Sequence, residues 1–244
     1  MGICDLIPGV SGGTVAYASG IYDDFLAAIQ SLNLTNWKKI HWRFISKLIA
    51  GVATSVLLFS KLFYFLLLHH KLLLFAFFFG AIIASSSLSL KKPSWMCALG
   101  FLISFIICSF PEVEVLKVSA IWLFVCGMLG SAAMLLPGIS GSFVLHILGV
   151  YTLFIQALSR LDFKFLIIIS LGIAAGFLIF SRLISRLLAK HPQKVHGFMI
   201  GCMLGGLRSL WPYTAHNILS ASLFVILGFL LTFLLERKAP LLVK

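Results

Sequence analysis

Two stretches decide the fold: DLIPGVSGGTVAYASGIY at residues 5–22 and MLLPGISGSFVLHILGVY at residues 134–151. Aligned without gaps at an offset of 129, they match Pro8 with Pro137, Gly9 with Gly138, Ser11 with Ser140 and Gly12 with Gly141. Gly20 then matches Gly149, and Tyr22 matches Tyr151. Proline inside a helix removes an amide donor and clashes with the preceding turn, and glycine admits unusual dihedrals. Each stretch therefore reads as a break followed by a short helix, which Ser11 or Ser140 is placed to cap. In a chain with 7 prolines, so ordered a match is not chance.

The repeat continues outward. FSKL (59–62) matches FSRL (180–183), Gly51 matches Gly172 and Gly80 matches Gly201, all at an offset of 121. The stretch between motif and next span is thus eight residues shorter in the second half. GFL recurs at 100–102 and 228–230, at an offset of 128. The chain reads as a tandem pair of halves, 1–117 and 118–244.

Composition says what surrounds these halves. Of 244 residues, 61% are hydrophobic and 11% are charged, against roughly 25% charged in an ordinary soluble domain. That little charge cannot cover a water-facing surface, which argues against a soluble enzyme, a disordered chain and a nucleic-acid-binding module. Apolar segments at 44–68, 72–90, 94–110, 118–135, 163–188, 196–210 and 217–235 read as membrane helices. The motif segments 5–30 and 134–159 do not read as simple spans. The expected fold is an all-α polytopic membrane protein with paired re-entrant or broken helices.

The net charge of +12 comes from 19 Lys and Arg against 7 Asp and Glu, spread thinly. Loops at 31–47, 91–92, 186–194 and 236–244 hold Lys38, Lys39, Arg43, Lys47, Lys91, Lys92, Arg186, Lys190, Lys194, Arg237, Lys238 and Lys244. The other side holds Lys71, Lys117, Arg160, Lys164 and Arg208, with Glu112, Glu114 and Asp162. Twelve basic residues against five place the first set and the C-terminus on the cytoplasmic side. This requires the halves to have opposite orientations. Inverted repeats with interrupted helices near the midplane are a transporter pattern.

Irregular backbone at membrane depth is tolerated only inside protein or lining a polar cavity. Its free amides, with a helix N-terminus, form a cradle for an anion, and a phosphate head group suits it. The expected binding residues are Ser11, Gly12, Gly13 and Thr14 from the first motif and Ser140, Gly141 and Ser142 from the second. Phe143 stands where the first half has Thr14, so the site is asymmetric. Arg208, in GGLRSLWP (205–212), is a candidate phosphate ligand or an interfacial arginine beside an aromatic-belt Trp211. Asp5 matches Met134 and is either a proton or cation coupling group or a helix cap. Asp23 is a second coupling candidate. His146, the mate of Tyr17, is either a proton relay or a hydrogen-bonded packing residue. Lys61 and Arg182, at matched positions in spans, either snorkel or serve the site.

The remaining signals are negative. The 5 cysteines lack metal-ligand spacing and read as small hydrophobes, so neither a metal nor a cofactor is expected. Gly2 is not followed by Ser or Thr at position 6, which is Leu6, so it is not a myristoylation site. No metalloprotease, nucleotide-binding or nucleophile-elbow motif is present, and no cluster of acid, base and cation suits lipid-phosphate chemistry. The chain is expected not to be an enzyme.

DLIPGVSGGT with GIY, LLPGISGS with GVY, and GGLRSLWP together resemble the bacterial DUF368 family over nearly the whole chain. Members of that family are proposed undecaprenyl-phosphate translocases. The resemblance implies an inner-membrane protein that returns the carrier lipid phosphate from the outer to the cytoplasmic leaflet for envelope polymer synthesis. It carries over Pro8, Gly9, Ser11, Gly12, Gly13, Pro137, Gly138, Ser140, Gly141, Arg208 and Trp211. The chain departs from the pattern at its start. The second motif follows an apolar helix, whereas the first begins at residue 5, so the first half is expected to lack its supporting helix. Two other readings stay open. A small-anion channel or ion-coupled anion transporter suits Gly-Ser-rich helix ends equally well, and a structural partner of the envelope machinery is the third.

Overall fold

A computed structural model describes residues 1, 11–31, 41–90, 94–111, 118–211 and 218–238. Asp5, Pro8 and Gly9 lie outside the described residues, as do Lys38, Lys39, Lys91, Lys92, Glu112, Glu114, Lys117 and Lys244 of the charge count. Among the described residues every regular element is helical. In chain order these are α1 (Gly12–Ala18), α2 (Tyr22–Ser31), α3 (Trp42–His69), α4 (Lys71–Ser89), α5 (Trp95–Ile107), α6 (Ala120–Leu135), α7 (Gly141–Ile147), α8 (Tyr151–Arg160), α9 (Phe163–Lys190), α10 (Pro192–Gly206) and α11 (Ile218–Lys238). A 3₁₀ turn, Leu207–Leu210, follows α10.

The sequence repeat is legible in the helix bounds. α1 and α2 map onto α7 and α8 at an offset of 129 at all four ends, and α3 maps onto α9 at 121 at both ends. The linkers match as well. Gly20 (φ 73°) and Gly149 (φ 75°) each turn the chain in the left-handed region that disfavours a side chain. Ile21 N donates to Ala16 O, as Val150 N does to Leu145 O, both at 3.0 Å. The second helix pair is bent by 107° across this break.

Glycines set the long-range packing. α4 lies against α11, and α10 lies against α5. A Cβ added at Gly80 would stand 1.9 Å from Val225 O, and one at its mate Gly201 would stand 2.0 Å from Cys97 O. Likewise Gly228 abuts Phe77, and Gly100 abuts Phe198. Matched glycines therefore make matched contacts, with each half lending one helix to each pair. Small residues let membrane helices approach this closely without relying on water exclusion.

Four described helices are long and apolar enough to cross a membrane, within 42–59, Lys71–Ser89, Phe163–Lys190 and Ile218–Arg237, and the bent pair α7–α8 passes the same test as one span. The segments expected as full spans at 94–110, 118–135 and 196–210 are shorter. α5, α6 and α10 have 13, 16 and 15 residues, where about 20 are needed to cross. The shortening follows from local breaks. Cys108 closes α5 in a turn, Pro137 cuts the chain just past α6, and α10 tightens into the 3₁₀ turn at Leu207.

Candidate functional site

The first motif enters α1 through Ser11, an extended N-cap residue whose Oγ accepts from Gly13 N at 3.2 Å. Gly12, Gly13 and Thr14 are buried behind it. Gly13 cannot be larger, because a Cβ there would stand 2.6 Å from Met134 O at the end of α6. The second motif leaves α6 through the buried Pro137 and Gly138. Gly138 has φ 89°, and a Cβ on it would stand 2.3 Å from Cys202 O. Glycine is thus required there twice, by dihedral and by contact. Ser140 is the N-cap of α7, but its hydroxyl makes no cap bond. It pairs with the Ser142 hydroxyl at 2.9 Å instead. Gly141 is buried against Met134, and Ser142 is exposed.

A backbone amide of one motif bonds to a side chain of the other. Gly138 N donates to Thr14 Oγ1 at 2.9 Å, and the bond is buried. The two broken backbones, 124 residues apart in sequence, therefore share a single polar seam. A second tie runs from Tyr22 Oη to Leu135 O at 2.6 Å. Tyr22 also anchors the apolar cluster with Ala16, Leu26, Ile29, Leu135, Ile184 and Met199, which seats the first motif among helices of the second half. Gln30 fastens α2 to α9 by donating to Ser181 O at 3.0 Å and to the Ser185 hydroxyl.

Arg208 sits in a turn that begins beside the second motif. A Cβ added at Gly206 would stand 2.0 Å from Gly138 O, so the turn carrying Arg208 starts against the second motif. The half-buried guanidinium lies 5.9 Å from the centre of the Phe105 ring. Trp211 is exposed and meets Phe79 edge-on, with ring centres 5.5 Å apart. Lys61 and Arg182 both face outward, the placement of a snorkelling cation. His146 stacks on Tyr151 with ring centres 3.9 Å apart.

Sequence reasoning passed over a cavity. About 870 Å³ opens between the ends of α1–α2, α4, α5 and α10, and Tyr17, Tyr22, Asp23, Ser94, Lys194 and His196 are in its wall. Tyr17 Oη and His196 Nδ1 are 2.9 Å apart. Ser94 Oγ is buried, and among the described residues it has no hydrogen-bond partner. An orphan hydroxyl in such a wall is costly unless a ligand or water meets it. Asp23 and His196 also line an adjoining space of about 350 Å³ with Gln30 and Ser185. One signal pointed here. Tyr17 is the mate of His146, so this repeat position is polar in both halves. Tyr17 is three residues past Thr14 on α1, so the cavity floor is about 5 Å along the helix from the seam. Among the described residues no group of three or more His, Cys, Asp or Glu is placed to hold a metal.

A family model described as undecaprenyl phosphate translocase-like matches residues 1–223. A Vibrio cholerae serotype O1 protein named polyprenyl-phosphate transporter is similar, at 34% identity over 233 residues, covering 87% of this chain and 75% of its own length. A Staphylococcus aureus protein of the same name is 37% identical over 123 residues, covering 47% of this chain and 44% of its own. No solved structure matches significantly. With the family model spanning most of its length and the Vibrio relative agreeing, this multi-pass membrane protein belongs to the undecaprenyl phosphate translocase-like family.

Proposed function

We propose that this chain carries a polyprenyl phosphate between the leaflets of the bacterial inner membrane, from the outer to the cytoplasmic one, so that the carrier lipid is used again. The observation that carries the reading is the buried bond from Gly138 N to Thr14 Oγ1. It joins the two broken segments at one polar seam inside an otherwise apolar protein, where irregular backbone is tolerated only around a polar cargo or within packed protein. Ser11, Gly12, Gly13 and Thr14 form one wall, Ser140, Gly141 and Ser142 form the other, and Arg208 supplies the positive charge. In the arrangement described here Ser11, Thr14, Ser140 and Ser142 bond within the protein. It is therefore a closed state whose seam opens to admit the phosphate.

The cavity at Tyr17, Lys194 and His196 is the vestibule on the side of the basic stretch 186–194, which the structure makes the end of α9 and the start of α10 rather than a loop. Lys194 attracts the head group, the tail stays in lipid, and Asp23 and His196 are the coupling candidates nearest the path. Two inverted halves, 1–117 and 118–244, supply two conformations of similar energy that face opposite leaflets, with the C-terminus cytoplasmic. The names of the Vibrio and Staphylococcus relatives support the cargo. No catalytic step is part of this cycle.

Asymmetric proteoliposomes test direction and coupling together. With polyprenyl phosphate in one leaflet, a membrane-impermeant phosphatase on the other side reads its arrival. The reading predicts faster arrival at the cytoplasmic face and a rate that responds to an imposed proton or cation gradient. An anion current that needs no lipid phosphate would favour the small-anion channel instead.

A further inference from the structure

α10 meets α5 at three successive turns, Gly197 on Ser94, Gly201 on Cys97 and Gly205 on Phe101, so the two helices run parallel. Their repeat mates α4 and α11 make the same kind of pair. A Cβ at Gly228 would stand 2.0 Å from Phe77 O. Residues four apart share a helix face, and two such steps on from Phe77 and Gly228 stand Ser85 and Glu236. The Glu236 side chain is the polar group beside Ser85.

This corner is costly as it stands. Ser85 is 3% exposed, and among the described residues its Oγ has no partner in hydrogen-bond geometry. A buried orphan hydroxyl calls for an explanation. Glu236 is half-buried between the exposed Leu235 and Arg237, inside the apolar window Ile218–Arg237. A carboxylate at membrane depth is expensive and marks a functional site by default. The end of α4 adds to the cost. α4 stops at Ser89, one turn past Ser85, and a helix C-terminus carries partial negative charge that repels an anion. Packing does not demand the acid. At offsets of 128 and 121 the mates of Glu236 and Ser85 are Cys108 and Gly206, and Gly206 packs directly on the Gly138 carbonyl.

We propose that Glu236 and Ser85 hold a monovalent alkali cation of sodium's size against the C-terminal end of α4. Carboxylate and hydroxyl oxygens are the ligands that hard cations take, and the helix end that repels the carboxylate attracts a cation. One carboxylate balances one positive charge, whereas a divalent ion would leave a net charge in apolar surroundings. The site is independent of the transported lipid, so its test needs no transport. In detergent at constant ionic strength, replacing choline chloride by sodium chloride raises the apparent Tm saturably, by roughly 5–11 °C at about a hundredfold excess over the apparent Kd. Glu236→Gln erases the rise, and Ser85→Ala weakens the apparent sodium affinity several-fold. Equilibrium binding of radioactive sodium to the parent saturates at a single site per chain. Equal Tm in the two salts, or a rise that survives Glu236→Gln, overturns the proposal. A stabilisation that follows pH and ignores sodium also overturns it, since it assigns the carboxylate to a proton. Where Glu236→Gln does not fold, Ser85→Ala and the sodium count decide. An unchanged affinity in Ser85→Ala or the lack of saturable sodium binding then refutes the site.

Discussion

Replacing Thr14 by Val keeps the shape of the side chain and removes the acceptor that joins the motifs. Gly138 N, now 2.9 Å from Thr14 Oγ1, would be left buried with no replacement at hand, because Cys202 and Gly206 pack tightly on the same glycine. An unsatisfied buried donor costs about 1–3 kcal/mol. For a domain of this size each kcal/mol moves Tm by roughly 2–4 °C, so Thr14→Val should lower Tm by about 2–12 °C. Thr14→Ser retains the hydroxyl and should recover most of the loss. Cys202 gives a local readout, since it is fully buried and its carbonyl oxygen faces Gly138. Its thiol should react with a maleimide dye several-fold faster in Thr14→Val than in the parent, and Thr14→Ser should restore the slow rate. If Thr14→Val matches the parent in both Tm and Cys202 labelling, the seam does not hold the two motifs together and the reasoning fails.

Gly138→Ala should yield little monodisperse protein by size exclusion, since φ 89° costs alanine ~1–2 kcal/mol and the new methyl meets Cys202 backbone. Gly201→Ala, whose methyl would overlap Cys97 O, should lower Tm by roughly 2–12 °C, the equivalent of ~1–3 kcal/mol of overpacking. Gly51→Ala, where a methyl would meet none of the described residues within 4 Å, should hold or raise Tm, because alanine favours helix by about 1 kcal/mol. Tyr17→Phe removes the contact with His196 but keeps the ring edge on Tyr22. It should slow lipid-phosphate crossing several-fold in proteoliposomes while shifting Tm by no more than about 4 °C, the cost of one hydrogen bond.

Much of the fold is carried by local pattern. The span expected at 163–188 is the helix Phe163–Lys190, and the change of offset from 129 to 121 falls between α2 and α3, where the halves differ in loop length. Periodicity and proline suffice for that. Lengths of the central helices were less legible, since nothing in the apolar run 94–110 shows that α5 stops at Ile107 and turns at Cys108. The motif residues were named from chemistry, but partners are a tertiary matter. Thr14 was expected to face a ligand, and it accepts from Gly138 across 124 residues of chain. The cavity was less legible still. Tyr17 and His196 are 179 residues apart, and a histidine next to a loop carries no sign that a tyrosine from α1 will reach it. For Arg208 the sequence offered two readings. Its turn starts at Gly206 against Gly138, a neighbour that the sequence did not show.

The central claim is that a lipid phosphate crosses the membrane through a seam served by Arg208. The most direct measurement is the initial rate at which polyprenyl phosphate, placed in one leaflet of proteoliposomes, becomes accessible to an impermeant phosphatase on the opposite side. The account predicts a protein-dependent rate well above that of empty vesicles, with a loss of about tenfold or more in Arg208→Ala, as expected for losing a charge-assisted hydrogen bond worth ~1.5–3 kcal/mol. Crossing no faster than in empty vesicles, or an Arg208→Ala rate equal to that of the parent, would contradict it.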